Sequence, residues 1–181
     1  RQFERLGAGV LDADAAGHEV LKMPEVERAI RARWGDDVFG DDGRIDRSRV
    51  ARRVFAPPPE GPVERAFLEQ LTHPRIGELL RREAESMARR GCPAAVLDAA
   101  LLFEAGWNEF CDKVVFVDAP SRLRRSRAKA RGWSEEDFAA REDAQESLNR
   151  KRDGADVLID NADSPESTQA QIERFWHSLV G

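Results

Sequence analysis

Apolar residues run together in four short segments of this chain and recur every three or four positions in the stretches between them. Residues 8–11 (AGVL), 94–97 (AAVL), 113–117 (KVVFV) and 156–159 (DVLI) read as strands. Their alternation with helical stretches is the pattern of a parallel sheet wrapped by helices, and the unbroken run at 94–97 is that of a strand covered on both faces. Residues 24–34 form a helix with Val26, Ala29, Ile30 and Trp34 facing the core and Gly35 as its stop. Residues 47–55 follow Asp46 as an N-cap and end before the triple proline Pro57, Pro58, Pro59. Residues 62–71 and 74–90 predict two amphipathic helices with a corner at Thr72, His73 and Pro74, since proline ends a helix before it. Residues 120–131 and 134–152 predict two charged helices joined by Gly132 and Trp133, the second capped by Ser134 with Glu135, Glu136 and Asp137 in its first turn. A last helix opens at Ser164 and Pro165, with Ile172, Phe175 and Trp176 toward the core.

The stretch 24–92 is far longer than one crossover helix needs. It reads as an insertion, and insertions at strand ends of α/β proteins build substrate pockets. The 181 residues suffice for a single domain with a sizeable core. Hydrophobic residues at 41% and charged residues at 35% describe a globular protein with a heavily charged surface. A net charge of −5 opposes general affinity for nucleic acid or an anionic membrane, and no apolar run approaches the ~20 residues of a membrane span. Cys92 and Cys111 have no companions at metal spacing, which suggests neither zinc nor a disulfide framework and fits a reduced, cytoplasmic setting. Arginines concentrate at 122–131 and at Arg150 and Arg152; most read as solvated helix faces, but their planar forks can also grip phosphate oxygens.

Three carboxylates carry candidate chemistry. Asp98 stands where the strand 94–97 leaves the sheet; it either closes the strand or holds a magnesium ion there. Asp12 and Asp14 follow the first strand, and side chains two apart on an extended chain point the same way, so the pair can share a site. Asp14 equally suits the cap of the next helix.

The segments LDADAAGHEV at 11–20, DGRIDR at 42–47, His73 with Pro74, LDAALLFEAG at 97–106, REDAQ at 141–145 and ADVLIDN at 155–161 stand in one order. Over residues 6–175 the chain resembles the dephospho-coenzyme A kinases, which phosphorylate the ribose 3′-hydroxyl of dephospho-coenzyme A in the last step of coenzyme A synthesis. The resemblance implies an α/β, three-layer P-loop kinase fold with a parallel sheet, a helical substrate-binding insertion at 24–92 and a helical lid at 120–152. It implies ATP with Mg²⁺ and dephospho-coenzyme A as ligands. It matches Asp14 to the residue that orients the 3′-hydroxyl and accepts its proton, and Arg47 and His73 to substrate contacts; Asp12 is expected beside Asp14 as a further substrate contact, and Asp98 as the catalytic carboxylate that holds the metal. Leu102, Phe103 and Glu104 match a segment that closes over the substrate. Arg127 and Arg131 match lid arginines, with Arg131 meeting charge on the transferring phosphate; Arg141 and Gln145 match the RxxxQ signature, and Asn161 a residue near adenine.

The chain departs from the family in three places. Ala100 stands where the family has proline before LLFE, and Arg131–Gly132 where it has Arg-Asp-Gly. No GxxxxGK[ST] loop, the phosphate cradle of such kinases, occurs in the 181 residues. Residues 1–7 read as the end of the helix that follows that loop. The expectation is therefore a chain without the central first strand, the loop and the start of the first helix, and with negligible activity by itself. The rival readings are another small-molecule P-loop kinase, a non-catalytic coenzyme A-binding protein, and an arginine-rich nucleic-acid binder, which the net charge opposes.

Overall fold

Val115 stands beside Val157, Phe116 beside Leu158, Val117 beside Ile159 and Asp118 beside Asp160, so that β3 (Val115–Asp118) and β4 (Val157–Asp160) run parallel and in register. A second two-stranded sheet joins β1 (Gly9–Asp12) and β2 (Ala95–Asp98). The computed structural model describes residues 1–180. Each strand reaches one residue beyond the apolar run that announces it, and each ends on an aspartate: Asp12, Asp98, Asp118 and Asp160. Apolarity stops where the side chains leave the packed layer, while the backbone stays extended for one residue more. β2 is not covered on both faces, since Ala95 and Asp98 are exposed and Val96 and Leu97 half-buried.

The chain forms two compact units. One comprises Arg1–Gly9, Gly91–Val96 and Ala100–Gly181; the other comprises Val10–Arg90 and Leu97–Ala99. In the first, α1 (Gln2–Arg5) packs on α9 (Pro165–Val180), with the Phe3 ring 6.3 Å from both Phe175 and Trp176. Ile172 and Trp176 of α9 are buried, as is Ile159 of the adjoining β4. Residues 120–152 hold three helices where the pattern predicts two: α6 (Ser121–Ala130), α7 (Glu135–Asp143) and α8 (Leu148–Asp153). Ser134 forms the expected cap, its hydroxyl and the Asp137 carboxylate serving each other's backbone amides. The helix predicted over 134–152 breaks because Ser147 caps a new one, its Oγ accepting from the Arg150 amide at 3.3 Å.

The second unit is helical apart from the strand residues it holds. α2 (Ala13–Val20) and α4 (Arg47–Val54) pack on α5 (Glu60–Arg89), and α3 (Pro24–Trp34) ends as predicted at Gly35, whose φ of 71° suits glycine. Val20, Val26, Ile30, Val38 and Leu80 are almost wholly buried. Glu64 on α5 accepts two bonds from the Arg33 guanidinium at 3.0 Å and one from the Trp34 indole at 2.6 Å, which fastens α3 to α5. The corner expected at residues 72–74 does not exist: α5 runs through Pro74 for 30 residues. Proline removes the bond to residue 70, but nearby carbonyls gain side-chain donors. Thr72 Oγ1 donates to Leu68 at 2.8 Å and the Arg75 guanidinium to Leu71 at 2.5 Å. Burial of Thr72, Ile76, Gly77 and Leu80 holds the helix together across the gap.

Candidate active site

Asp12, Asp14, Arg47, His73 and Asp98 belong to the second unit, and Leu102, Phe103, Glu104, Arg127, Arg131, Arg141, Gln145 and Asn161 to the first. The two carboxylates after the first strand do not share an extended stretch, because the chain turns helical at Ala13. Asp12 is the helix cap, its Oδ1 accepting from the Ala15 amide at 2.9 Å. Asp14 is therefore not the cap; it stands exposed in the first turn of α2, one helical turn before His18. His18 and Ala15 line a groove of about 310 Å³ together with Lys22, Arg44 and Arg47. Lys22 is paired with Glu19 at 2.6 Å, whereas Arg44 and Arg47 are exposed. Arg47 is held at the start of α4 by the Asp46 cap, whose Oδ1 takes the Ser48 and Arg49 amides at 2.8 and 3.2 Å. The bond from the Arg49 amide holds the Asp46 carboxyl below its usual range. His73 is half-buried mid-helix in α5, and Asp98 is the exposed end of β2.

In the first unit residues 101–106 coil into a tight turn, with the Ala105 amide on the Leu101 carbonyl and the Trp107 amide on the Leu102 carbonyl, each at 2.9 Å. Gly106 leaves it with φ 69°. Phe103 lies against the α8 C-cap Gly154, where an added Cβ would stand 2.8 Å from the ring. Glu104 reaches the bend between α7 and α8: its Oε1 accepts from the Glu146 amide at 2.7 Å and pairs with Lys151 at 2.9 Å. The Lys151 ammonium also donates to Gln145 Oε1 at 2.9 Å. On α6, Arg124 pairs with Glu142 of α7, and Arg127 donates to the Asn161 carbonyl at 3.0 Å. Arg131 caps the C-terminus of α6 and is exposed, while Arg141 lies over the Trp133 ring at 4.4 Å. Arg124, Trp133, Arg141 and Gln145 line a groove of about 300 Å³.

Lys151 was not singled out from the sequence. It sits between Arg150 and Arg152 in a basic run that reads as solvated. Among the described residues no three histidine, cysteine or acidic side chains group to hold a metal.

The dephospho-CoA kinase family profile matches residues 1–166. The dephospho-CoA kinase of Symbiobacterium thermophilum is 40% identical over 97% of this chain and 72% of its own length; that of Geobacter sulfurreducens is 37% identical over 97% and 88%. The crystal structure of TT1252 from Thermus thermophilus superposes with a TM-score of 0.79 at 31% identity, covering 99% of this chain and 89% of the other. Dephospho-CoA kinase from Campylobacter jejuni shares the fold, with a TM-score of 0.68 at 23% identity over 98% and 87%. A profile matching residues 1–166, and relatives 37–40% identical over 97% of the chain, place this protein in the dephospho-CoA kinase family.

Proposed function

We propose that these residues carry the acceptor site and the lid of an ATP-dependent kinase that phosphorylates the ribose 3′-hydroxyl of dephospho-coenzyme A. The observation that carries this reading is the placement of Asp14, an exposed carboxylate relieved of capping duty by Asp12, on the helix whose Ala15 and His18 line a groove with Arg44 and Arg47. The arginine pair suits the diphosphate of the acceptor, and Asp14 the hydroxyl that is to react. In the transfer the ribose oxygen bonds to the γ-phosphorus of ATP while the bond to the β–γ bridging oxygen breaks. ADP leaves, and the hydroxyl proton passes to Asp14. His73 and Asp12 are second contacts for the acceptor.

Arg127, Arg141 and Asn161 serve the nucleotide side, with Gln145 beside them. Arg131, exposed at the end of α6, folds toward the transferring phosphate and offsets its charge. Asp98 would hold the magnesium that neutralises the phosphates when bound. No GxxxxGK[ST] loop occurs in these 181 residues, and this reading calls for one. Free thiols at Cys92 and Cys111 fit the reducing cytoplasm as its setting. The test is coenzyme A and ADP formation by a protein carrying these residues behind a GxxxxGK[ST] segment. The reading expects turnover there and negligible turnover by the 181 residues alone; robust activity without the loop, or none with it, overturns it.

A further inference from the structure

The sequence around α8 reads RKRD, a run that should solvate itself. Arg150 and Arg152 do lie in solvent, yet Lys151 between them is only 8% exposed. Its ammonium meets three oxygens: the Ala100 carbonyl at 2.7 Å, Gln145 Oε1 at 2.9 Å and Glu104 Oε1 at 2.9 Å. These come from both ends of the turn that carries LLFE and from the bend between α7 and α8. Glu104 Oε1 is shared with the Glu146 amide at 2.7 Å, and Glu104 Oε2 is buried without a partner. Burial of an ammonium and a carboxylate is costly unless each is partnered, and its best-attested return is a fixed register between the segments it joins.

Resting on the kinase reading above, we propose that Lys151 is a positioning residue for phosphoryl transfer. It locks the 100–106 turn to the α7–α8 bend, so that Glu104 and Gln145 act from one rigid frame. Both side chains give an oxygen to the same nitrogen, and neither moves without the other. The bond also fixes the Gln145 amide with its oxygen toward Lys151, which leaves the –NH₂ end, a donor, for a ligand oxygen. A frame of this kind tunes alignment more than binding, because small misplacements of positioned groups lower turnover far more than affinity.

The experiment compares Lys151→Met and Lys151→Arg with their parent in a protein that carries the 181 residues behind a phosphate loop. It measures kcat, both KM values, melting temperature and exchange of the Glu146 amide. Lys151→Met should release that amide to exchange and lower kcat about tenfold or more, with each KM within about threefold. Lys151→Arg keeps the charge, but its planar fork cannot meet three converging oxygens, so it should fold, melt below the parent but above Lys151→Met, and still lose kcat. It keeps the test open if Lys151→Met does not fold. A folded Lys151→Arg with parental kcat, or a Glu146 amide as protected in Lys151→Met as in the parent, overturns the proposal. An inactive parent overturns the kinase reading and this role with it, whereas an active parent with unaffected variants overturns this role alone.

Discussion

Arg127 donates to the backbone carbonyl of Asn161 at 3.0 Å, so the last turn of α6 is moored to the loop that leaves β4. Arg131, one turn further on, is exposed. The two arginines should therefore separate stability from turnover. Arg127→Ala should destabilise by about 1–2 kcal/mol, the loss of a half-buried charge-assisted bond, whereas Arg131→Ala should stay within about 0.5 kcal/mol. In the loop-bearing protein Arg131→Ala should lower kcat more than ATP affinity, by less than the ~10³ seen for a lone arginine finger. Denaturant midpoints and single-turnover rates check both halves; a fall in ATP affinity alone makes Arg131 a ground-state clamp.

Asp12 and Asp14 divide their duties in the same way. Asp12→Ala removes the cap of α2 and should cost about 0.5–2 kcal/mol. Asp14→Asn should leave the melting temperature unchanged and lower kcat by ~10²–10⁴. A stable Asp14→Asn enzyme with normal kcat would remove Asp14 from the chemistry.

Glu64 gives the second unit an acid-sensitive fastening. The Arg33 guanidinium, and after it the Trp34 indole, hold its carboxyl below the ordinary glutamate value. A lowered folded-state pKa contributes stability that is complete above the unfolded value, about 4.3, and is lost as pH falls through the lower folded value. Glu64→Gln should reduce stability at neutral pH and flatten its decline in acid. Acid titration of tryptophan fluorescence would show this; parallel acid profiles for the two proteins would discount the bond.

Pro74 lies inside a continuous helix, so its replacement by alanine should stabilise the protein, by about 1–3 kcal/mol. At a true corner the same change would be neutral or harmful. Thermal unfolding of Pro74→Ala distinguishes the two.

Local signals were legible where one residue decided the outcome. Pro24 and Gly35 bound α3, and Asp46 and Ser134 cap as read. The expectation failed at residues 72–74 because the proline rule is local, whereas burial of Ile76 and Leu80 and the side-chain donors of Thr72 and Arg75 are not. It failed again at residues 144–147, where Ser147 in a charged run was not read as a cap. Lys151 was hidden for a different reason. A lysine's burial depends on acceptors up to 51 residues away, which periodicity cannot see. Asp14 was legible as a candidate, but its release from capping required seeing the chain turn helical directly after Asp12.

β1 ends on Asp12 and α2 begins on Ala13, so strand passes to helix with no linker residue between them. This leaves the junction no tolerance for changes in length. One residue inserted after Ala13 would turn Asp14 about 100° around the helix axis; one inserted before it would part Asp12 from the amide it caps. Variation in this stretch is confined to substitution, and a random insertion library should return functional clones elsewhere in the chain but none between positions 12 and 14.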